Sequence, residues 1–205
     1  IIDALTRGYL RKLRRFDKMM DYWMEDVQFV LNYFVEHQSS STLLAKMDLS
    51  KVGTFGQSFG GAVAGQLCLR DSRILAGINL DGFQFGDIID ESTKKPFMLI
   101  QSGYNALWNY GNSAIYAHPQ ADFYFIDIPK ARHLVFSDAA LIPDVPEENR
   151  FDMLGTLNGP EVLKNINEII LAFFDFHLKG EESSILTVKQ PFKGAELRVF
   201  KPSLE

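Results

Sequence analysis

The chain has 205 residues, of which 46% are hydrophobic, and a formal net charge of -5 at pH 7. This length suits a single domain over residues 1–205 with one sizeable core. The negative charge argues against a nucleic-acid partner, which would call for a basic surface. A single cysteine, Cys68, excludes an internal disulfide framework and any site built from several thiolates.

The first predicted element is a long amphipathic helix over residues 5–37. Apolar side chains recur there every three or four positions, from Leu5 to Phe34. A basic stripe runs beside them, made of Arg7, Arg11, Arg14, Arg15 and Lys18. It predicts either peripheral contact with an anionic membrane or, as the more ordinary interpretation, a solvated helix face.

Four apolar runs then predict strands, at residues 52–55, 74–80, 96–101 and 122–128. Three segments predict helices, at residues 61–69, 112–120 and 161–178, the last of them ended by Gly180. Residues 137–160 are expected to be irregular, and the residues after Gly180 to form an appended strand or a tail. Alternating strands and helices predict a mainly parallel α/β sheet, whose functional sites gather at the carboxyl ends of the strands.

The stretch GQSFG, residues 56–60, follows the first strand and precedes a helix. Strand, G-x-S-x-G and helix together predict a nucleophile elbow, in which a strained turn raises the Ser58 hydroxyl above the sheet. Gly56 and Gly60 are expected where neighbouring backbone passes too close for a Cβ. The backbone N–H of Phe59, at the start of the helix, is the predicted oxyanion donor. The alternative is a structural or phosphate-binding turn, but the lysine of a Walker loop is missing.

A serine nucleophile needs a base, and His133 is the histidine that closely follows a strand. The predicted acid is Asp81, the first residue after the strand that ends at Leu80. The strand after that runs into Ser102-Gly-Tyr-Asn, which contains no carboxylate. Asp87, Asp90 and Asp127 are weaker candidates, and a turn-forming Asp-Gly is the alternative role for Asp81.

The segment GQSFGGAVAGQLCLRDSRILAGINLDGFQFGD resembles the centre of the platelet-activating factor acetylhydrolases, which are α/β-hydrolases related to lipases. In that family a G-x-S-F-G-G elbow is followed by an L-D pair whose aspartate is the triad acid, matched here by Leu80 and Asp81. The resemblance covers about residues 20–180 and implies an α/β-hydrolase fold. The family's first strands, with the second oxyanion donor, have no counterpart here, so we expect the carboxyl-terminal portion of such a domain.

The resemblance implies hydrolysis of short acyl esters, including acetyl or oxidised short acyl chains of phospholipids. No cluster of His, Asp or Glu has metal-ligand spacing, so we expect an activity that survives chelators and needs no cofactor. Gln57 stands where the family usually has histidine, a change we interpret as minor. The residues predicted to contact the substrate are Gln57, Phe83, Phe85, Tyr104 and Trp108. Their aromatic rings either form apolar walls for an acyl chain or pack as ordinary core.

Two other functions stay open at this point. One is a different ester hydrolase on the same fold, such as a dienelactone or polyester hydrolase, although the acid position argues against the nearest of these. The other is an inactive fragment or a non-catalytic binding protein. The intact set of Ser58, Asp81 and His133 argues against loss of activity, whereas the missing first strands argue for it.

Overall fold

The computed structural model describes residue 8, residues 13–103, 106–116 and 119–143, and residues 146–202. Its first elements are a 3-10 turn at Leu13–Phe16 and helix α1 at Asp17–His37. Met20 and Leu31 are the buried residues of α1, whereas Trp23 and Val30 of the predicted apolar stripe are exposed. The stripe is therefore covered only in part.

The basic stripe beside α1 is only partly within the described residues. Arg7 and Arg11 lie outside them. Arg14 forms ion pairs with Asp17 and Asp90, so its charge is met within the fold. None of the helices in the described part of the chain is long and apolar enough to cross a bilayer.

Five strands form one sheet in chain order, namely β1 (Val52–Gln57), β2 (Ile74–Leu80), β3 (Phe97–Ser102), β4 (Phe123–Ile128) and β5 (Glu196–Phe200). The first three pairings are parallel, and β5 runs antiparallel to β4. The predicted mainly parallel sheet is confirmed, and the appended segment near the end of the chain is its fifth strand.

Four further helices follow α1, namely α2 (Phe59–Arg70), α3 (Ala106–Ile115), α4 (Glu147–Leu154) and α5 (Gly159–Phe174). Helix α5 continues through a π-helical turn at Asp175–Lys179, and Gly180 ends it in the left-handed conformation, as predicted. Two predictions were wrong in detail. Helix α3 begins six residues before 112, and the segment 137–160 contains α4, whose polar sequence gives little periodicity but whose Leu154 is buried in the core.

The core has two layers because strand residues alternate between the faces of the sheet. Met98 and Ile100 of β3 pack on one side with α5, while Phe97 and Leu99 pack on the other side with α1 and α2. Both faces are covered, which explains why the strands are almost continuously apolar.

The strand register brings the carboxyl ends of four strands to one edge of the sheet. Gln57 pairs with Leu80, Leu80 with Ile100, and Ser102 with Ile128. The residues directly after β1 and β2 are Ser58 and Asp81, and the loop after β4 carries His133. All three therefore emerge at the same edge.

Candidate active site

Ser58 lies in a strained turn between β1 and α2. Its backbone has φ 57° and ψ -125°, a conformation that is unfavourable for a residue with a Cβ. The turn is held at both ends, since the Ser58 N–H donates to Leu80 O at 2.9 Å and the Ser58 carbonyl accepts from Gly61 N at 3.0 Å. The predicted strain at this serine is confirmed.

The two glycines beside Ser58, Gly56 and Gly60, differ in how much space a side chain would have. A Cβ on Gly56 would lie 2.4 Å from the carbonyl carbon of Gly60, so that position requires glycine. A Cβ on Gly60 would meet nothing within 4 Å among the described residues, so the predicted close approach at Gly60 is wrong. What comes close to Gly56 is the backbone of Gly60 itself.

Phe59 is the first residue of α2. Backbone N–H groups in the first turn of a helix lack an acceptor within the helix, and the helix dipole makes this end favourable for negative charge. The ring of Phe59 packs against Trp23 of α1 and Phe85, with ring centroids 5.2 Å and 5.8 Å apart. These ring contacts hold Phe59, and with it its backbone N–H, in place at the start of α2.

Asp81 also has a left-handed backbone, with φ 55°. The next residue is clamped by the Asn79 side chain, whose Oδ1 accepts from Gly82 N at 2.7 Å and whose Nδ2 donates to Gly82 O at 3.0 Å. A Cβ on Gly82 would lie 2.0 Å from the carbonyl oxygen of Ser58. The turn that carries Asp81 and the turn that carries Ser58 are therefore in close backbone contact.

His133 begins a 3-10 turn after β4, anchored by the buried side chains of Val135 and Phe136. The residues just before it are tied to the end of α4: Arg132 N donates to Leu154 O, and Ala131 bridges to Gly155. The loop that carries the imidazole is thus held by a segment that is distant along the chain.

His133 Nδ1 lies 2.8 Å from Asp81 Oδ2. When Nδ1 donates to a carboxylate, the proton is fixed on that nitrogen and Nε2 keeps the basic lone pair. The other carboxylates considered from the sequence are engaged elsewhere. Asp87 and Asp90 pair with Arg70 and Arg14. Asp127 contacts Gln101 within the sheet, where burial raises the pKa of the Asp127 carboxyl.

The side chain of Gln57 links the elbow to the histidine loop. Its Nε2 donates to the carbonyl oxygen of His133 at 2.8 Å. Gln57 was predicted as a substrate-binding residue, and the hydrogen bond observed for it is to the backbone of the predicted base. This contact joins the two segments whose separation sets the distance between Ser58 and His133.

Three of the predicted aromatic residues, Phe83, Phe85 and Trp108, form a continuous cluster that reaches His133. The ring of Trp108 lies edge-on to that of His133 at 6.4 Å, and Phe83 contacts both Trp108 and Phe85. Phe83 is only 3% exposed and packs as core, whereas Phe85 and Trp108 are half-buried. Tyr104 lies outside the described residues.

Sequence reasoning missed a buried polar network behind the turn at Asp81. Gln84 is fully buried, its backbone N–H donates to Asn112 Oδ1 at 2.9 Å, and its Oε1 accepts from the Tyr116 hydroxyl at 2.7 Å. Asn112 Nδ2 also donates to Gly82 O at 2.9 Å. The available signal was Asn79, a polar residue in an otherwise apolar strand, because buried amides are retained where their hydrogen bonds are satisfied.

Two other reactive or ligating possibilities find little support. Burial raises the pKa of the Cys68 thiol to about 12, which disfavours the nucleophilic thiolate. Within the described ranges, no group of three or more His, Cys, Asp or Glu side chains is arranged to hold a metal ion.

Comparison with solved structures identifies the fold. The structure superposes on a ferulic acid esterase from Streptomyces cinnamoneus with a TM-score of 0.74 and 24% identity, covering 90% of this chain and 56% of that one. Together with the parallel sheet and the strand–serine–helix elbow, this defines an α/β-hydrolase fold.

The family follows from sequence comparison. The family described as platelet-activating factor acetylhydrolase, isoform II, matches residues 24–185. A probable 1-alkyl-2-acetylglycerophosphocholine esterase of Arthroderma benhamiae is 29% identical over 187 residues, 81% of this chain and 45% of that protein. A platelet-activating factor acetylhydrolase of Cavia porcellus is 27% identical over 139 residues, 66% of this chain and 32% of that protein. The chain belongs to this family, and it spans less than half the length of these relatives.

Proposed function

We propose that the chain carries the triad of a serine ester hydrolase, with Ser58 as nucleophile, His133 as general base and Asp81 as the acid that orients it. The observation that carries this proposal is the 2.8 Å contact between Asp81 Oδ2 and His133 Nδ1, at the sheet edge where the strained Ser58 also lies. Its family membership supports the same chemistry.

In the proposed reaction, His133 Nε2 takes the Ser58 hydroxyl proton as Ser58 Oγ attacks the ester carbonyl. The Phe59 N–H, at the start of α2, stabilises the negative charge that develops on the carbonyl oxygen. His133 then gives the proton to the departing alcohol. In the second half of the reaction His133 takes a proton from a water molecule as that water attacks the acyl carbonyl, and it returns the proton to Ser58 Oγ as the carboxylic acid is released.

We propose short acyl esters as the substrate class, including acetyl or oxidised short acyl chains of phospholipids. The names of the two relatives support a 2-acetyl glycerophospholipid as the first ester to test. The half-buried rings of Trp108, which lies edge-on to His133, and of Phe85, which packs against Phe59, offer apolar surface for an acyl or alkyl chain.

A fluorophosphonate probe tests the nucleophile directly. We expect the chain to be labelled, and Ser58→Ala to abolish labelling, while Ser184→Ala, which removes an exposed serine, leaves it unchanged. Because the chain spans less than half of its relatives, the same assay is run on a longer protein that contains it. Absence of Ser58-dependent labelling in both would overturn the proposed function.

The substrate class has its own measurement. Release of acetate from a 2-acetyl glycerophospholipid is compared with release of long-chain fatty acid from the matching 2-palmitoyl lipid. We expect faster acetate release. Faster release of the long chain would contradict the short-acyl proposal while leaving the hydrolase proposal intact.

A further inference from the structure

The carboxylate of Asp81 receives hydrogen bonds from two residues. Ser102 N donates to Asp81 Oδ1 at 2.7 Å, and the Ser102 hydroxyl donates to Asp81 Oδ2 at 2.8 Å. His133 Nδ1 lies 2.8 Å from that same Oδ2. One serine therefore contacts both carboxylate oxygens, and its hydroxyl shares an oxygen with the predicted base.

Ser102 is rigidly placed. It is the last residue of β3, it is fully buried, and it pairs with Ile128 of β4. Its carbonyl accepts from Asn109 Nδ2 of α3 at 2.8 Å. Asp81, in contrast, lies in a turn beyond the end of β2. A residue fixed in a central strand thus contacts a carboxylate carried by a turn.

The two hydrogen bonds determine how the carboxylate faces the imidazole. The terminal torsion of an aspartate side chain has a broad energy profile, so a carboxylate held by one contact is free to rotate. The Ser102 N–H and hydroxyl fix both oxygens, which directs Oδ2 at His133 Nδ1. Hydrogen bonds to a charged acceptor are stronger than neutral ones, and burial strengthens them further.

We propose that Ser102 is a positioning residue for the catalytic acid, acting on the reaction only through Asp81. This inference rests on the proposed hydrolase function. It also gives a role to the residue that ends β3, where the sequence has a serine rather than a carboxylate.

The first test is Ser102→Ala, which removes the hydroxyl but keeps the backbone N–H. We expect kcat for a p-nitrophenyl acetate substrate to fall about 10-fold, because a hydrogen bond to a charged group is lost, with little change in KM. Ser102→Thr keeps the hydroxyl and should recover most of the rate. Thr93→Val is the control, since it removes a buried hydroxyl in the loop that precedes β3. It should leave kcat unchanged.

A double-mutant cycle separates positioning from a merely structural role. In an Asp81→Asn background, Ser102→Ala should have almost no further effect on kcat, because Ser102 no longer has an ionised acid to orient. An equal fold-loss in both backgrounds would overturn the proposal, as would wild-type kcat in the single variant. If the parent chain shows no Ser58-dependent labelling, the hydrolase proposal fails instead, so the two failures are distinguishable.

Discussion

The edge of the sheet that carries Asp81 differs sharply from the exposed surfaces of helix α1 and of the edge strand β1. Around Asp81, buried polar side chains bond to one another and to the backbone. Along α1 and β1, large apolar side chains face solvent, with Phe29 71% and Phe55 58% exposed. A groove of about 560 Å³ lies between α1 and β1. Around Asp81 most buried polar groups are hydrogen-bonded, whereas along α1 and β1 much apolar surface is exposed to solvent.

This difference has an energetic meaning. A buried polar group that loses its hydrogen-bond partner keeps the full free-energy cost of its desolvation. Substitutions among the buried polar side chains around Asp81 should therefore be poorly tolerated. An exposed apolar side chain has not been removed from water, so its replacement changes the free energy of unfolding only slightly. We therefore expect substitutions near Asp81 to have large effects and those on the exposed face of α1 to have small ones.

The largest expected effect is on catalysis. Asp81→Asn keeps the shape of the side chain but removes the carboxylate that fixes the His133 tautomer, so kcat should fall by about 10⁴-fold. Steady-state ester hydrolysis measures this. Asp127→Asn and Asp87→Asn are the matched controls and should stay near the parent rate. A comparable loss in Asp127→Asn instead would show that Asp81 is not the acid.

The next largest effect is expected for Asn79→Leu, and it is on the stability of the fold. The substitution removes the acceptor of the Gly82 N–H and one of the two donors to the Gly82 carbonyl, the other being Asn112 Nδ2, so the free energy of unfolding should fall by at least about 2 kcal/mol. Urea unfolding provides the measurement. Asn167→Leu, on the exposed side of α5, should change little. If Asn79→Leu were as stable as the parent chain, the Asn79 amide would not be what holds the turn at Asp81.

Unlike most of the buried polar groups around Asp81, His177 has a buried polar atom that forms no hydrogen bond within the described residues. Its Nε2 is buried without a hydrogen-bond partner among the described residues, and its ring packs against Phe173 and Phe176. Burial lowers the pKa of His177 to about 4. The unfolded chain therefore binds this proton near pH 6.5 and the folded chain only near pH 4. Stability should fall as pH is lowered across that window.

Thermal unfolding at several pH values tests the His177 prediction. His177→Phe, which keeps an aromatic ring, should flatten the decline in melting temperature between pH 6.5 and 4.5. His37→Phe is a suitable control, because His37 is stacked on Tyr33 near the end of α1 rather than packed among α5 aromatics. The same slope in His177→Phe and the parent chain would contradict the prediction.

The smallest effect is expected on the exposed face of α1. Phe29→Ser should change the free energy of unfolding by no more than about 0.5 kcal/mol. Met20→Ala, on the same helix but buried, should cost about 2–5 kcal/mol. Chemical denaturation compares the two. A large loss for Phe29→Ser would mean that this face is covered in solution.

Local sequence patterns determined most of the fold. Continuous apolar runs identified four strands because both faces of the sheet are covered, and G-x-S-x-G between a strand and a helix located the strained Ser58. Gly180 marked the end of the last helix, since glycine accepts the left-handed conformation there without strain. Helix α4 was missed because its polar segment lacks a periodic apolar face.

Only the tertiary structure decided which side chains meet. The parallel register brings Asp81 beside Ser102, the Gln57 amide reaches the His133 carbonyl, and the segment after α4 holds the histidine loop. Likewise, the apolar stripe of α1 indicated a helix but not how much of it is covered. Periodicity reports the geometry of one element, whereas hydrogen-bond partners and burial depend on residues that are far apart in the chain.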